Sequence, residues 1–134
     1  MRTEIVIDGN NFYDLEGFYC EIDRVLTKDL TWKTGHNLND FNDILRGGFG
    51  VHEYGEPILL RWKNYDKSRY CLGFEATIKY YENMLKTCHP SNIDNVKIKL
   101  ENAKKHMGFT ILDLIIETIL DNDNSGHDCK LETD

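Results

Sequence analysis

Basic residues are the scarcer charged class in this chain: 16 Lys and Arg stand against 23 Asp and Glu, a formal net charge of −7. Nucleic-acid binders neutralise phosphate with clustered Lys and Arg. The balance therefore argues against direct nucleic-acid binding and favours a basic protein partner, whose approach an acidic surface accelerates. Long apolar runs are lacking too. The longest, Ile111 to Leu120, carries Asp113 and Glu117 and cannot span a bilayer. Only Ile5, Val6 and Ile7 run together before Asp8, too short a stretch for a secretory signal core. A cytoplasmic protein with no membrane partner is expected.

Paired cysteines are also missing. Cys20, Cys71, Cys88 and Cys129 stand apart with no CxxC spacing, and Cys88-His89 has no further ligands at zinc-binding intervals. Reduced thiols that partly fill the core are expected, with no metal and no cofactor. His36, His52, His89, His106 and His127 are scattered, and none sits in a nucleophile elbow or a metal-binding helix. Gly47-Gly48-Phe49-Gly50 lacks the lysine and following helix of a phosphate loop and reads as a helix terminator. These absences argue against an enzyme.

What is present is a pattern of short strands and amphipathic helices. With 134 residues the chain has the size of one domain with a single core. Thr3 to Ile7 reads as a strand closed by Asp8-Gly9. Asp14 opens a helix with Leu15, Phe18, Tyr19, Ile22 and Leu26 at 3.6-residue spacing. A shorter helix begins at Asn37 and ends at Gly47-Gly48. Pro57 to Trp62 is a second strand, its proline at the start, where a missing N–H is tolerated. A long helical region follows over about 74–120. Phe74, Ile78, Tyr81, Leu85 and Cys88 share one face; Ile93, Val96, Leu100, Ala103 and Met107 form a second stripe after the break at His89-Pro90. Asp128 to Glu132 is a candidate third strand. Strands separated by helices imply parallel pairing, hence an α/β fold: a three-stranded, mostly parallel sheet with helices packed against it.

The second helix is the most specific segment. Asn37 is a good N-cap, and Asp40 three residues on completes a capping-box-like pair. Leu38, Phe41, Ile44 and Leu45 fall on one side; Asn39, Asp43 and Arg46 fall roughly opposite. Asp43 is thus a mid-helix aspartate aimed at solvent, where aspartate is a mediocre helix former.

Ile7-Asp8-Gly9, Asp14-Leu15 opening a helix, Gly35-His36-Asn37-Leu38-Asn39-Asp40-Phe41-Asn42-Asp43-Ile44-Leu45, the glycine after it and the Pro57–Trp62 strand together resemble the barstar family. The resemblance covers residues 3 to about 65 well; the tail matches loosely, and the segment 74–107 looks longer than in the founding member. It implies a barstar-like domain over 1–134 that inhibits a barnase-type ribonuclease and is a monomer when free. It also implies that the binding surface is the second helix with its preceding loop. The family's chief anchor falls on Asp43, surrounded by Asn39, Asn42, Gly35, Trp32, His36 and Arg46, and Glu117 falls on a peripheral contact. A carboxylate on a rigid helix enters the cationic cluster that a ribonuclease builds around phosphate, and it offers no scissile bond.

The departures are informative. Asn39 replaces an acidic residue, Asn42 a large aromatic, Lys33-Thr34 the paired aromatics before the glycine, and His36 another acidic residue. They imply a cognate nuclease other than barnase. They also motivate a second reading, an interaction module of the same fold with a non-nuclease partner. Trp32 is open between a replacement anchor and a core residue. The reading fails if Asp43 is turned inward, or locked in an ion pair with its surface unavailable.

A rival motif lies at the C-terminal end. Asp121-Asn122-Asp123-Asn124-Ser125-Gly126, with Glu132 at the twelfth position, fits an EF-hand calcium loop. Asp128 at the position that is normally apolar, and only two residues after Glu132, weigh against it. A helix end followed by a polar turn into an edge strand is expected instead.

Overall fold

A computed structural model describes residues 2–28, 34–48 and 50–134. Its centre is a three-stranded sheet of β1 (Thr3–Asp8), β2 (Ile58–Lys63) and β3 (Cys129–Thr133). The strands lie in the order β1-β2-β3, and both pairings are parallel. The mostly parallel sheet expected from the sequence is therefore wholly parallel. Parallel neighbours need long crossovers. The first runs through α1 (Leu15–Leu26) and α2 (Leu38–Arg46). The second runs through α3 (Tyr65–Cys71), α4 (Phe74–Thr87), α5 (Ile93–Lys104), α6 (Ile111–Leu120) and the single turn α7 (Asn122–Ser125).

The period-two alternation of β2 decides which way the sheet faces. Ile58, Leu60 and Trp62 are fully buried, against Ile5 and Ile7 of β1. On the opposite face, Arg61 reaches Glu4 of β1 at 2.8 Å and Glu132 of β3 at 3.4 Å. Trp62 stacks on Phe18 of α1 with ring centres 5.5 Å apart, and its indole N–H donates to Ser68 Oγ at 2.9 Å. A buried tryptophan needs such an acceptor, and Ser68 lies on α3, a helix with no apolar stripe to announce it in the sequence.

The helices form for the reasons their sequences suggest. Asp14 caps α1 by accepting from Gly17 N–H at 2.7 Å. Thr110 and Asp113 form a complete capping box on α6. Phe18, Ile22 and Leu26 of α1, Phe41, Ile44 and Leu45 of α2, and Ile111, Ile115 and Ile119 of α6 join the strands in one core. A second, smaller cluster of Tyr81, Val96, Leu100 and Ala103 holds α5 on α4. Met107, expected to extend that stripe, lies beyond the end of α5 and is 56% exposed. The positive φ at His106, just before it, turns the chain away from the stripe.

No helix among the described residues is long and apolar enough to cross a membrane.

Candidate functional site

Both ends of α2 are fixed before its outward face is considered. At the start, Asn37 Oδ1 accepts from Asp40 N–H at 2.8 Å. The Asp40 carboxylate lies against Gly35, so close that a Cβ there would meet Asp40 Oδ2 at 1.7 Å. At the end, Gly47 takes φ = 84° and Gly55 N–H donates to Arg46 carbonyl at 2.7 Å. His52 folds underneath, buried, its Nε2–H donating to Leu45 carbonyl at 3.0 Å. An orphan carbonyl of the last helical turn is satisfied by this cap. Composition alone left His52 without a role; its position five residues after a helix-ending glycine was the available signal.

Apolar contacts hold the inner side. Phe41 meets Phe18 edge-on at 5.5 Å, and Ile44 and Leu45 are buried. The stripe expected from 100° per residue is therefore the buried one. On the outer side Asn39 and Asp43 are exposed, whereas Asn42 and Arg46 are half-buried.

Asp43 faces solvent, its side chain 55% exposed, and its Oδ1 lies 2.5 Å from Arg46 Nη1 one turn along the helix. Arg46 also donates from Nε to the Ser125 carbonyl, which ties α2 to α7. Asp43 is thus ion-paired, yet its surface is open. An exposed pair three residues apart is worth only about 0.3–0.5 kcal/mol, so Arg46 holds the carboxylate only weakly.

Asn42 turns toward α6. With Leu38, Asn39, Leu114 and Glu117 it lines a groove of about 300 Å³ between α2 and α6. Its Oδ1 is out of reach of solvent and has no hydrogen-bond partner among the described residues. Glu117 is exposed on the far wall. The structure so brings Asn39, Asn42 and Glu117 together, from segments 75 or more residues apart, with Asp43 and Arg46 on the neighbouring turn.

Gly35 and His36 sit at the other end, against α1. His36 is half-buried and stacks on Tyr19 at 5.5 Å. Its Nε2 meets Asp23 Oδ2 at 2.8 Å, and its Nδ1 meets Glu16 Oε1. The hydrogen bond to Asp23, reinforced by Glu16, raises the imidazole's pKa above its ordinary value against the effect of burial. These contacts, made to residues 13 and 20 positions away, turn His36 toward α1 and off the α2 face. Trp32 lies outside the described residues, as does Phe49. Tyr54 of the glycine loop is 72% exposed.

The EF-hand ligands are not arranged to wrap an ion. Asn122–Ser125 are wound into a helical turn, and Glu132 lies on β3 beside Arg61. Asn122 instead bonds both backbone groups of Cys129, accepting from its N–H at 2.9 Å and donating to its carbonyl at 3.0 Å. The segment's polar residues thus dock β3 onto the end of α6.

Helix α2 is clamped at both ends and presents an exposed carboxylate beside a polar groove. A model of the family described as Barstar (barnase inhibitor) matches residues 2–107, and the chain belongs to that family. Barstar family proteins are inhibitors, not enzymes. The match extends through α5, well past the 3–65 stretch that carries the resemblance. Helix α6 and strand β3 lie beyond the matched span, although β3 completes the sheet. No curated protein matches the chain.

Proposed function

We propose that this protein inhibits a basic ribonuclease by placing the outward face of α2 in the enzyme's active site, with Asp43 as the central anchor. One observation carries the reading: in a barstar-family chain, Asp43 is an exposed carboxylate on a helix fixed at both ends. Such a group docks with little loss of conformational entropy. It makes charge-assisted hydrogen bonds to the cations that a ribonuclease gathers around phosphate. Asn39 and Asn42 extend the contact along the groove toward Glu117, while Gly35, its Cβ space taken by the Asp40 carboxylate, offers only backbone at the start of α2. The net charge of −7 suits a basic target and speeds encounter with it.

The departures at Asn39 and Asn42 point to a nuclease whose pocket differs from barnase's. One natural form of this function is immunity against a secreted toxin nuclease, acting in the cytoplasm of the producing cell. The other is inhibition of a housekeeping or self-produced secreted ribonuclease. The test is inhibition of candidate nucleases by the purified protein, beginning with any basic nuclease encoded beside it. Stoichiometric inhibition lost on Asp43→Ala supports the reading; undiminished inhibition by that variant refutes the assignment of the anchor.

A further inference from the structure

Glu16 and Cys20 lie four residues apart on α1, so the helix repeat stacks them on one face. His36, arriving from the connector before α2, sits over both. One ligand atom from each side chain, a carboxylate oxygen, Sγ and an imidazole nitrogen, lies within 4.8 Å of the other two. Zinc bond lengths of about 2.0–2.3 Å in a tetrahedron place ligands roughly 3.5 Å apart. Rotations of the exposed Glu16 and Cys20 side chains bring the donors to that spacing, the direct Glu16–His36 contact opening to admit the ion.

We propose that Glu16, Cys20 and His36 form a zinc-binding site. The donors are a thiolate, an imidazole and a carboxylate, a set that selects zinc over calcium or magnesium. The two anionic ligands balance the ion's charge. His36 ligates through Nδ1, the nitrogen that faces Glu16, and the fourth position opens to solvent. Binding releases the Cys20 thiol proton to the buffer, together with any proton on His36 Nδ1.

A second feature, outside the three ligands, is already built. Asp23 stands behind His36 at 2.8 Å from Nε2. Asp23 is itself anchored: Thr27 Oγ1 donates to its Oδ1 at 3.1 Å, and Thr34 Oγ1 donates to the same atom. A carboxylate on the far nitrogen of a ligating histidine fixes the tautomer and raises the ligand's basicity. Read along the chain, the site is invisible, because the histidine is 16 residues from the cysteine and no familiar spacing connects them. Its consequence is structural: zinc would fasten the connector before α2 to α1.

This proposal stands apart from the inhibitor reading and is tested without any nuclease. Metal-free protein is titrated with Zn²⁺ by calorimetry and with Co²⁺ by absorption spectroscopy. The expected result is one ion per chain, with a thiolate-to-cobalt charge-transfer band. Cys20→Ser, at an exposed position and checked for folding by circular dichroism, removes that band and weakens zinc binding at least tenfold. Asp23→Asn weakens binding about 10–100-fold, the usual effect of losing such an outer partner. The Cys88→Ser/His89→Gln pair leaves binding unchanged. Absence of saturable binding at micromolar zinc overturns the proposal. So does a charge-transfer band that survives Cys20→Ser, since the thiolate would then lie elsewhere.

Discussion

Asp43 and Arg46 occupy successive turns of α2 and meet at 2.5 Å, while the other end of the Arg46 guanidinium holds the Ser125 carbonyl. The anchor of the proposed interface is therefore kept in place by the residue that also joins α2 to α7. Removing Asp43 leaves Arg46 attached to Ser125. Asp43→Ala is accordingly expected to change unfolding free energy by less than about 1 kcal/mol, while abolishing inhibition of the cognate nuclease. Urea denaturation and a ribonuclease titration on the same sample separate the two effects.

Arg46→Ala is the complementary change. It strips the Ser125 carbonyl of its donor, at an expected cost of about 1–2 kcal/mol. It also releases the Asp43 carboxylate and makes the chain one unit more negative than its present −7. Association with a basic nuclease should speed up at low ionic strength, and the gain should shrink as salt rises. Stopped-flow rates at two salt concentrations check this. A slower, salt-independent association would mean that Arg46 itself contacts the partner.

Glu21 gives the fold an acid-sensitive point. Its side chain is 1% exposed, bonded to Arg24 at 2.7 and 2.9 Å and to Asp8 N–H at 2.8 Å. Burial opposes ionisation, but the Arg24, Asp8 and Asn11 hydrogen bonds together overcome it and hold the carboxyl below its ordinary value of 4.5. A depressed folded-state pKa stabilises fully above the unfolded value, and that stability is lost as pH falls through the folded one. The contribution is thus intact at neutral pH and disappears in acid below about 4.5. Glu21→Gln is expected to cost about 1–3 kcal/mol at pH 7 and to flatten the acid limb of the stability profile. An unchanged slope between pH 5 and 3 in the variant would assign the acid sensitivity to other carboxylates.

The sheet, the helix stripes and the outward position of Asp43 were legible because they follow from local signals: the proline-started run Pro57 to Trp62, and Phe41, Ile44 and Leu45 at helical spacing. What escaped depends on contacts between distant segments. Helix α3 has no apolar stripe and is fixed by contacts to distant residues: Ser68 takes the Trp62 N–H, and Lys67 donates to the Gly9 and Phe12 carbonyls. Asn42 is polar and lies near the outer arc of α2, yet α6 covers it; nothing in residues 37–47 encodes where α6 will lie. His36 is directed by Glu16 and Asp23, carboxylates of another helix. The same long-range dependence hid the grouping of Glu16, Cys20 and His36.

Gly47 and Gly55 separate steric from conformational demands at the end of α2. Both have positive φ, 84° and 75°. A Cβ at Gly47 would meet the Glu53 carbonyl at 2.4 Å and the His52 ring at 2.7 Å, whereas one at Gly55 meets nothing within 4 Å. Gly55→Ala is expected to cost only the left-handed backbone strain, about 1–2 kcal/mol. Gly47→Ala adds a clash with backbone and should cost about 2–4 kcal/mol. It should also impair inhibition, because the His52 cap is displaced. Equal losses for the two would show that the segment after α2 yields freely and does not clamp the helix.

Helix α5 poses the last question, since the family match includes it although it packs chiefly on α4, through a cluster separate from the main core. Leu100 is 7% exposed in that cluster with Tyr81, Val96 and Ala103. Leu100→Ala leaves a cavity that should cost about 2–3 kcal/mol. Because the cluster is separate, the loss should be felt first as local opening. Amide exchange is expected to accelerate in 93–104 while β1, β2 and α2 keep their protection. Inhibition should be unchanged if α2 alone carries the interface. A loss of inhibition that parallels the exchange in α5 would place this helix in contact with the partner and enlarge the docking surface beyond α2 and its groove.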